Sequence, residues 1–123
     1  MKFDNNNKKT GINRIISAFE NTCKGFYWLS KNEAAFKQEI ILTITLTIVS
    51  FFLDVNALER TLLIASLLLI LLTETLNTAI EAVVDRVGLE LHELSGLAKD
   101  LGSTAVFISF TIAVVVWGGI LCF

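Results

Sequence analysis

The sequence predicts an all-α membrane protein: an N-terminal amphipathic surface helix followed by three transmembrane helices. Three observations predict it. Of 123 residues, 54% are hydrophobic and only 18% are charged, against roughly a quarter charged in soluble domains, and the mean hydropathy is +0.67. Three apolar stretches approach the roughly 20 residues that a bilayer crossing needs. No proline interrupts them, in keeping with continuous helices, which satisfy every peptide group internally in lipid. A water-facing surface cannot be covered from this inventory.

Residues 1–10 are polar and rich in asparagine and lysine, a segment expected to be mobile. Over 11–30, Ile12, Ile15, Ile16, Phe19, Cys23, Phe26 and Tyr27 recur at three- and four-residue intervals, which lines one face of a helix. Arg14, Glu20, Asn21, Lys24 and Lys31 fall largely elsewhere. Such a helix suits the headgroup layer, with Tyr27 and Trp28 at the interface; packing on protein is the alternative. Six of the ten Lys and Arg residues lie in the first 31 positions, so this end is expected in the cytoplasm. The opening MKFDNNNKKT has no apolar core or small-residue cleavage site, so no cleavable signal peptide is expected. Cys23 and Cys122 show no pairing or metal-ligand spacing and are expected as free thiols. The basic residues do not cluster with aromatics that would stack bases, which argues against nucleic acid.

The first span is expected over 34–53, its uncharged part being IILTITLTIVSFFL, with Lys37, Gln38 and Glu39 at its cytoplasmic entrance. Asp54, Asn56, Glu59 and Arg60 form a short polar turn before a second span over 61–84. Residues 85–100 read as a charged connection, and 101–123 is an uncharged third span. With the N-terminus inside, the 54–60 turn lies outside and the 85–100 connection inside.

Glu74, Asn77 and Glu81 interrupt the second span in TETLNTAIEAVVD. Offsets of three and four place them on one helical face, and Asp85 extends that face by a turn. Insertion scales put an acid at mid-membrane at roughly 2.5–3.5 kcal/mol, so two of them imply a partner: a metal ion, a basic residue, a neighbouring subunit or a wet cleft. Polar glue between helices is the simpler alternative, but Asn77 with threonines would suffice for that. Glu81 and Asp85 approach the cytoplasmic surface, whereas Glu74 sits about ten residues deeper, roughly 15 Å at 1.5 Å per residue. A carboxylate at that depth is placed to meet a lipid headgroup. Asn32, Glu33, Gln38 and Glu39 form a second polar group where the first span enters; alone it reads more readily as a solvated helix start, and paired with Glu81 it suits Mg²⁺, which takes few protein ligands and shares the rest with phosphate and water. His92 is the only histidine, and neither GxxxxGK[ST] nor GxGxxG occurs.

The segments NEAAFKQE (32–39), ETLNTAIEAVVDRVG (74–88) and HELSGLAKDLGS (92–103) together resemble the small prokaryotic integral-membrane diacylglycerol kinases over roughly residues 11–122. The resemblance implies a homotrimeric bundle in the bacterial inner membrane, with composite sites between subunits. It implies Mg²⁺-dependent transfer of phosphate from ATP to diacylglycerol, giving phosphatidic acid. By that match Glu74 is the catalytic base, supported by Asn77, and Glu33 and Glu81 bind the metal. Arg14, Asn21, Asp85, Glu90, His92, Lys99 and Asp100 join the two metal ligands around the nucleotide. Arg14, Glu39, Arg60, Ser103 and Trp117 fall with Glu74 where the family holds lipid. Leu91, Leu97 and Cys23 depart from the residue types usual there, while the acidic residues are intact.

A related branch phosphorylates undecaprenol, and the shared carboxylates do not separate the two substrates; the NEAAFKQE form favours diacylglycerol. A proton- or ion-translocating subunit and a structural assembly protein are the competing classes. A relay needs polar residues continuing across the bilayer, and LLIASLLLILL offers only Ser66.

Overall fold

The computed structural model describes residues 10–123; residues 1–9, most of the polar segment expected to be mobile, lie outside it. The described chain is all-α: α1 (Gly11–Asn32), α2 (Ala34–Ser50), α3 (Ala57–Val87) and α4 (Glu93–Cys122). It divides into two units, one carrying α1 as far as Ala34 and the other running Ala35–Phe123.

In the first unit, helix α1 starts from an extended Thr10 and a Gly11 at φ 63°, a left-handed conformation that a side chain would strain. Its stripe of Ile12, Ile15, Ile16, Phe19, Phe26 and Tyr27 is exposed, as expected of a helix whose apolar face serves something outside the chain. The Lys31 ammonium lies 5.1 Å from the centre of the Tyr27 ring. The helix stops at an extended Glu33 (φ −111°, ψ 108°), whose N–H still donates to the Leu29 carbonyl.

In the second unit, α3 and α4 pack along each other as an antiparallel pair. Leu63, Ser66, Leu67, Ile70, Glu74, Asn77 and Thr78 make the buried face of α3, spaced at the three- and four-residue intervals of a helix stripe. The opposing buried residues of α4 are Gly102, Ser109 and Ala113. Small residues let helix backbones approach closely where lipid supplies no hydrophobic drive between helices. Two polar ties cross the seam. Thr73 Oγ1 donates to Ser109 Oγ at 2.8 Å. Trp117 Nε1 lies 3.2 Å from both the Leu63 carbonyl and Ser66 Oγ.

Helices α3 and α4, of 31 and 30 residues, are long and apolar enough to cross a membrane. Helix α2 has 17 residues, short of the roughly 20 a bilayer needs, although its chain continues as a tighter turn through Phe51, Phe52 and Leu53, each bonded three residues back. The span expected over 61–84 is the apolar middle of the longer α3, and that expected over 101–123 is the C-terminal part of α4, which starts eight residues earlier at Glu93. The 85–100 segment, expected as a connection, is mostly helix: α3 runs on to Val87, α4 restarts at Glu93, and only residues 88–92 connect them. Charge does not end a helix; it only ends the part that lipid accepts. The 54–60 polar turn is likewise shorter than expected. Asn56 accepts from the Glu59 N–H at 2.8 Å and Glu59 accepts from the Asn56 N–H at 3.0 Å, a reciprocal cap that starts α3 at Ala57.

Candidate functional site

Glu74 and Asn77 are placed by the helical period of α3 on its buried face, exposed by only 7% and 9%. Glu39 reaches them from α2. Expected with Lys37 and Gln38 at the entrance of the first span, it is equally buried, at 7%, and its carboxyl group meets that of Glu74. The physical reason is that α2 begins at Ala34, so Glu39 is more than a turn inside the helix and on the same side as the fully buried Phe36. Glu39 Oε2 has no hydrogen-bond partner, and neither does Asn77 Oδ1. Buried oxygens in that state cost free energy unless something binds them.

From this pair the polar face leads to the end of α3. Asn77 Nδ2 donates to Glu81 Oε1 at 3.5 Å, a long bond, and Glu81 is half-buried. One turn on, Asp85 pairs with Lys99 of α4 at 3.1 Å. Both are about half exposed (51% and 46%), so the pair adds little to stability; its effect is to hold an ammonium at the mouth of a cleft. That cleft is lined by Val84, Asp85, Glu90, His92, Ser95 and Lys99 among others. His92 caps α4, its Nδ1 accepting from the Leu94 N–H at 3.1 Å; the neutral ring then carries its proton on Nε2.

Glu39, Glu74, Asn77 and Glu81 thus form one polar track ending at the cleft of Asp85, Glu90, His92 and Lys99. Asp100 and Ser103 are exposed on α4. Arg14, Asn21 and Glu33 belong to the other unit, where Arg14 and Asn21 are exposed and Glu33 is half-buried. Arg60 and Trp117 lie toward the opposite end of the α3–α4 pair. Arg60 is fourteen residues before Glu74, roughly 21 Å along the helix. Its guanidinium donates to the carbonyls of Ser50, Leu53 and Val55 at 3.0–3.4 Å and lies over the Phe51 ring. Trp117 is engaged with Leu63 and Ser66. Sequence spacing carries no sign of the Glu39–Glu74 contact, because it depends on the register of two helices.

Among the described residues no group of three or more His, Cys, Asp or Glu side chains is gathered to hold a metal ion. Mg²⁺ is held by one or two carboxylates with phosphate and water completing its shell. Glu81, accessible at the cleft end, is a fitting ligand of that kind. Cys23 and Cys122 are free and exposed.

The family described as Prokaryotic diacylglycerol kinase matches residues 20–121 of the chain. A diacylglycerol kinase of Escherichia coli (strain K12) is 50% identical over 111 residues, 90% of this chain and 91% of that protein. One of Haemophilus influenzae is 47% identical over 116 residues, covering 94% and 98%. One of Pseudomonas aeruginosa is 49% identical over 113 residues, covering 92% of each.

Proposed function

This chain belongs to the prokaryotic diacylglycerol kinase family, and from that premise we propose that it phosphorylates diacylglycerol at the expense of ATP, giving phosphatidic acid. The observation that carries the reading is the buried Glu39–Glu74 contact, on the same helix face as Asn77 and Glu81 and followed along α3 by a polar cleft in which Lys99 pairs with Asp85. One end of that track suits a lipid hydroxyl and the other suits a nucleotide.

In the reaction the lipid hydroxyl oxygen bonds to the γ-phosphorus, the bond from that phosphorus to the β–γ bridging oxygen breaks, and ADP leaves. Glu74 takes the hydroxyl proton, and Glu39 beside it helps to orient the same hydroxyl. Such base action contributes roughly 10²–10⁴-fold. Asn77 holds Glu81 by its amide. Lys99, Arg14 and Asn21 supply positive and hydrogen-bonding groups to the nucleotide with Glu90, His92 and Asp100. Mg²⁺, held by Glu33 and Glu81, would neutralise phosphate charge, the main demand of phosphoryl transfer. Direct in-line displacement needs no protein nucleophile. Ser103, Arg60 and Trp117 are assigned to lipid by resemblance; Arg60 and Trp117 have their donors engaged within the fold.

The same reading places the chain in the bacterial inner membrane with α2, α3 and α4 crossing, the N-terminus and cleft facing the cytoplasm, and three copies forming composite sites. The support is physical: a long apolar surface on α4, of which only 11% is buried within the chain. A proton relay is disfavoured because its outer path has only Ser66, whose hydroxyl is bonded to the Leu63 carbonyl and met by Trp117.

The test is radiolabel transfer from γ-labelled ATP in mixed micelles, with diacylglycerol and undecaprenol offered side by side. Labelled phosphatidic acid is expected as the main product; label on undecaprenol alone, or on neither lipid, would contradict the proposal.

A further inference from the structure

Gly102 is the one helical glycine among the described residues where a side chain has no room. At Gly25, Gly96, Gly118 and Gly119 an added Cβ meets nothing within 4 Å, whereas at Gly102 it would run into Asn77 Oδ1. It would also lie 3.2 Å from Asn77 Cγ and 3.8 Å from Asn77 Cα, so the backbones of α3 and α4 touch here. The helices cannot slide to relieve such a clash, because Thr73–Ser109 and Trp117–Leu63 tie their register further along.

Asn77 is 91% buried, its exposure being 9%, and no hydrogen bond fixes its amide on the Gly102 side, since Oδ1 has no partner. The bond on the other side, Nδ2 to Glu81 Oε1, is long at 3.5 Å and too weak to orient the group alone. Turning the amide over would set its oxygen against the Glu81 carboxylate, like partial charge to like charge. The shape of the gap at Gly102 therefore decides where the amide lies.

We propose that Gly102 is a positioning residue for the phosphoryl transfer: its missing side chain leaves the room in which the Asn77 amide turns its Nδ2 toward Glu81. This rests on the reading above that Asn77 and Glu81 serve that reaction. Gly102 touches no reacting atom and acts through Asn77.

The test is a double-mutant cycle of Gly102→Ala and Asn77→Ala, read by kcat, by the Mg²⁺ midpoint of activity and by the thermal unfolding midpoint, with Gly119→Ala as control. Alanine is the better helix former, so propensity alone would favour the variant. Gly102→Ala is expected to lower kcat roughly tenfold to a hundredfold, the scale of an ångström-sized displacement of a working group, and to raise the Mg²⁺ midpoint. In the Asn77→Ala background the added methyl has room, and the further change should be under about twofold in kcat and Mg²⁺ midpoint, the sign of coupled residues. Gly119→Ala should leave both unchanged. Full activity in Gly102→Ala, or an equal loss in both backgrounds, would overturn the proposal while leaving the reading of Asn77 intact. Wild-type kcat in Asn77→Ala would instead remove that reading and the positioning role with it. If Gly102→Ala does not fold, recovery of folded protein on adding Asn77→Ala supports the contact, and no recovery overturns it.

Discussion

At the Trp117 end of the α3–α4 pair, polar groups close on one another. Trp117 Nε1 meets the Leu63 carbonyl and Ser66 Oγ, Ser66 donates to Leu63, and Arg60 collects three backbone carbonyls of the preceding turn. At the Gly102 end the same two helices leave Asn77 Oδ1 unpaired and α2 leaves Glu39 Oε2 unpaired, beside a second buried carboxyl group at Glu74. Folding alone rewards the first arrangement, since a buried polar group without a partner costs about 1–3 kcal/mol. The second leaves acceptors that a bound molecule could complete. The difference separates the part of the hairpin that sets its register from the part proposed above to do chemistry.

Four substitutions sharpen that division, from large to small. Glu74→Gln keeps the shape of the deep site and removes its base, so turnover should fall roughly 10²–10⁴-fold with helicity and thermal midpoint retained. Glu81→Gln should raise the Mg²⁺ midpoint about tenfold or more, by analogy with the effect of altering a metal's supporting shell; an unmoved metal titration would count against Glu81 as ligand. Trp117→Phe keeps the ring and loses the N–H shared by Leu63 and Ser66, and should lower stability by about 1–2 kcal/mol, measured by unfolding in detergent. Asn56→Ala removes half of the reciprocal cap at the start of α3. It should cost about 1 kcal/mol and leave turnover of the folded protein unchanged, which a paired melt and kinetic assay would check.

Much of the candidate site was legible in the sequence because it lies on one helix. Glu74, Asn77 and Glu81 share a face by spacing alone, and the apolar context makes two acids there conspicuous. What spacing cannot supply is register between helices. Glu39 reads as an entrance residue beside Gln38, and only the packing of α2 against α3 brings it to Glu74. Gly102 reads as an ordinary glycine in KDLGS, since its meaning depends on Asn77 approaching from α3. The helix ends were obscured for another reason: hydropathy marks where lipid stops, and α3 and α4 continue past that limit into charged residues. The Asn56–Glu59 pair was legible as a cap by its three-residue offset, yet its polarity suggested a turn.

The most direct test of the account is the rate of label transfer from ATP to diacylglycerol by Glu74→Gln, normalised to protein shown to be folded by its thermal midpoint. The account predicts a loss of at least about a hundredfold at an unchanged midpoint. Wild-type turnover in that variant, or a loss matched by an equal collapse in stability, would contradict the assignment of Glu74 and the Gly102 end of the hairpin to phosphoryl transfer.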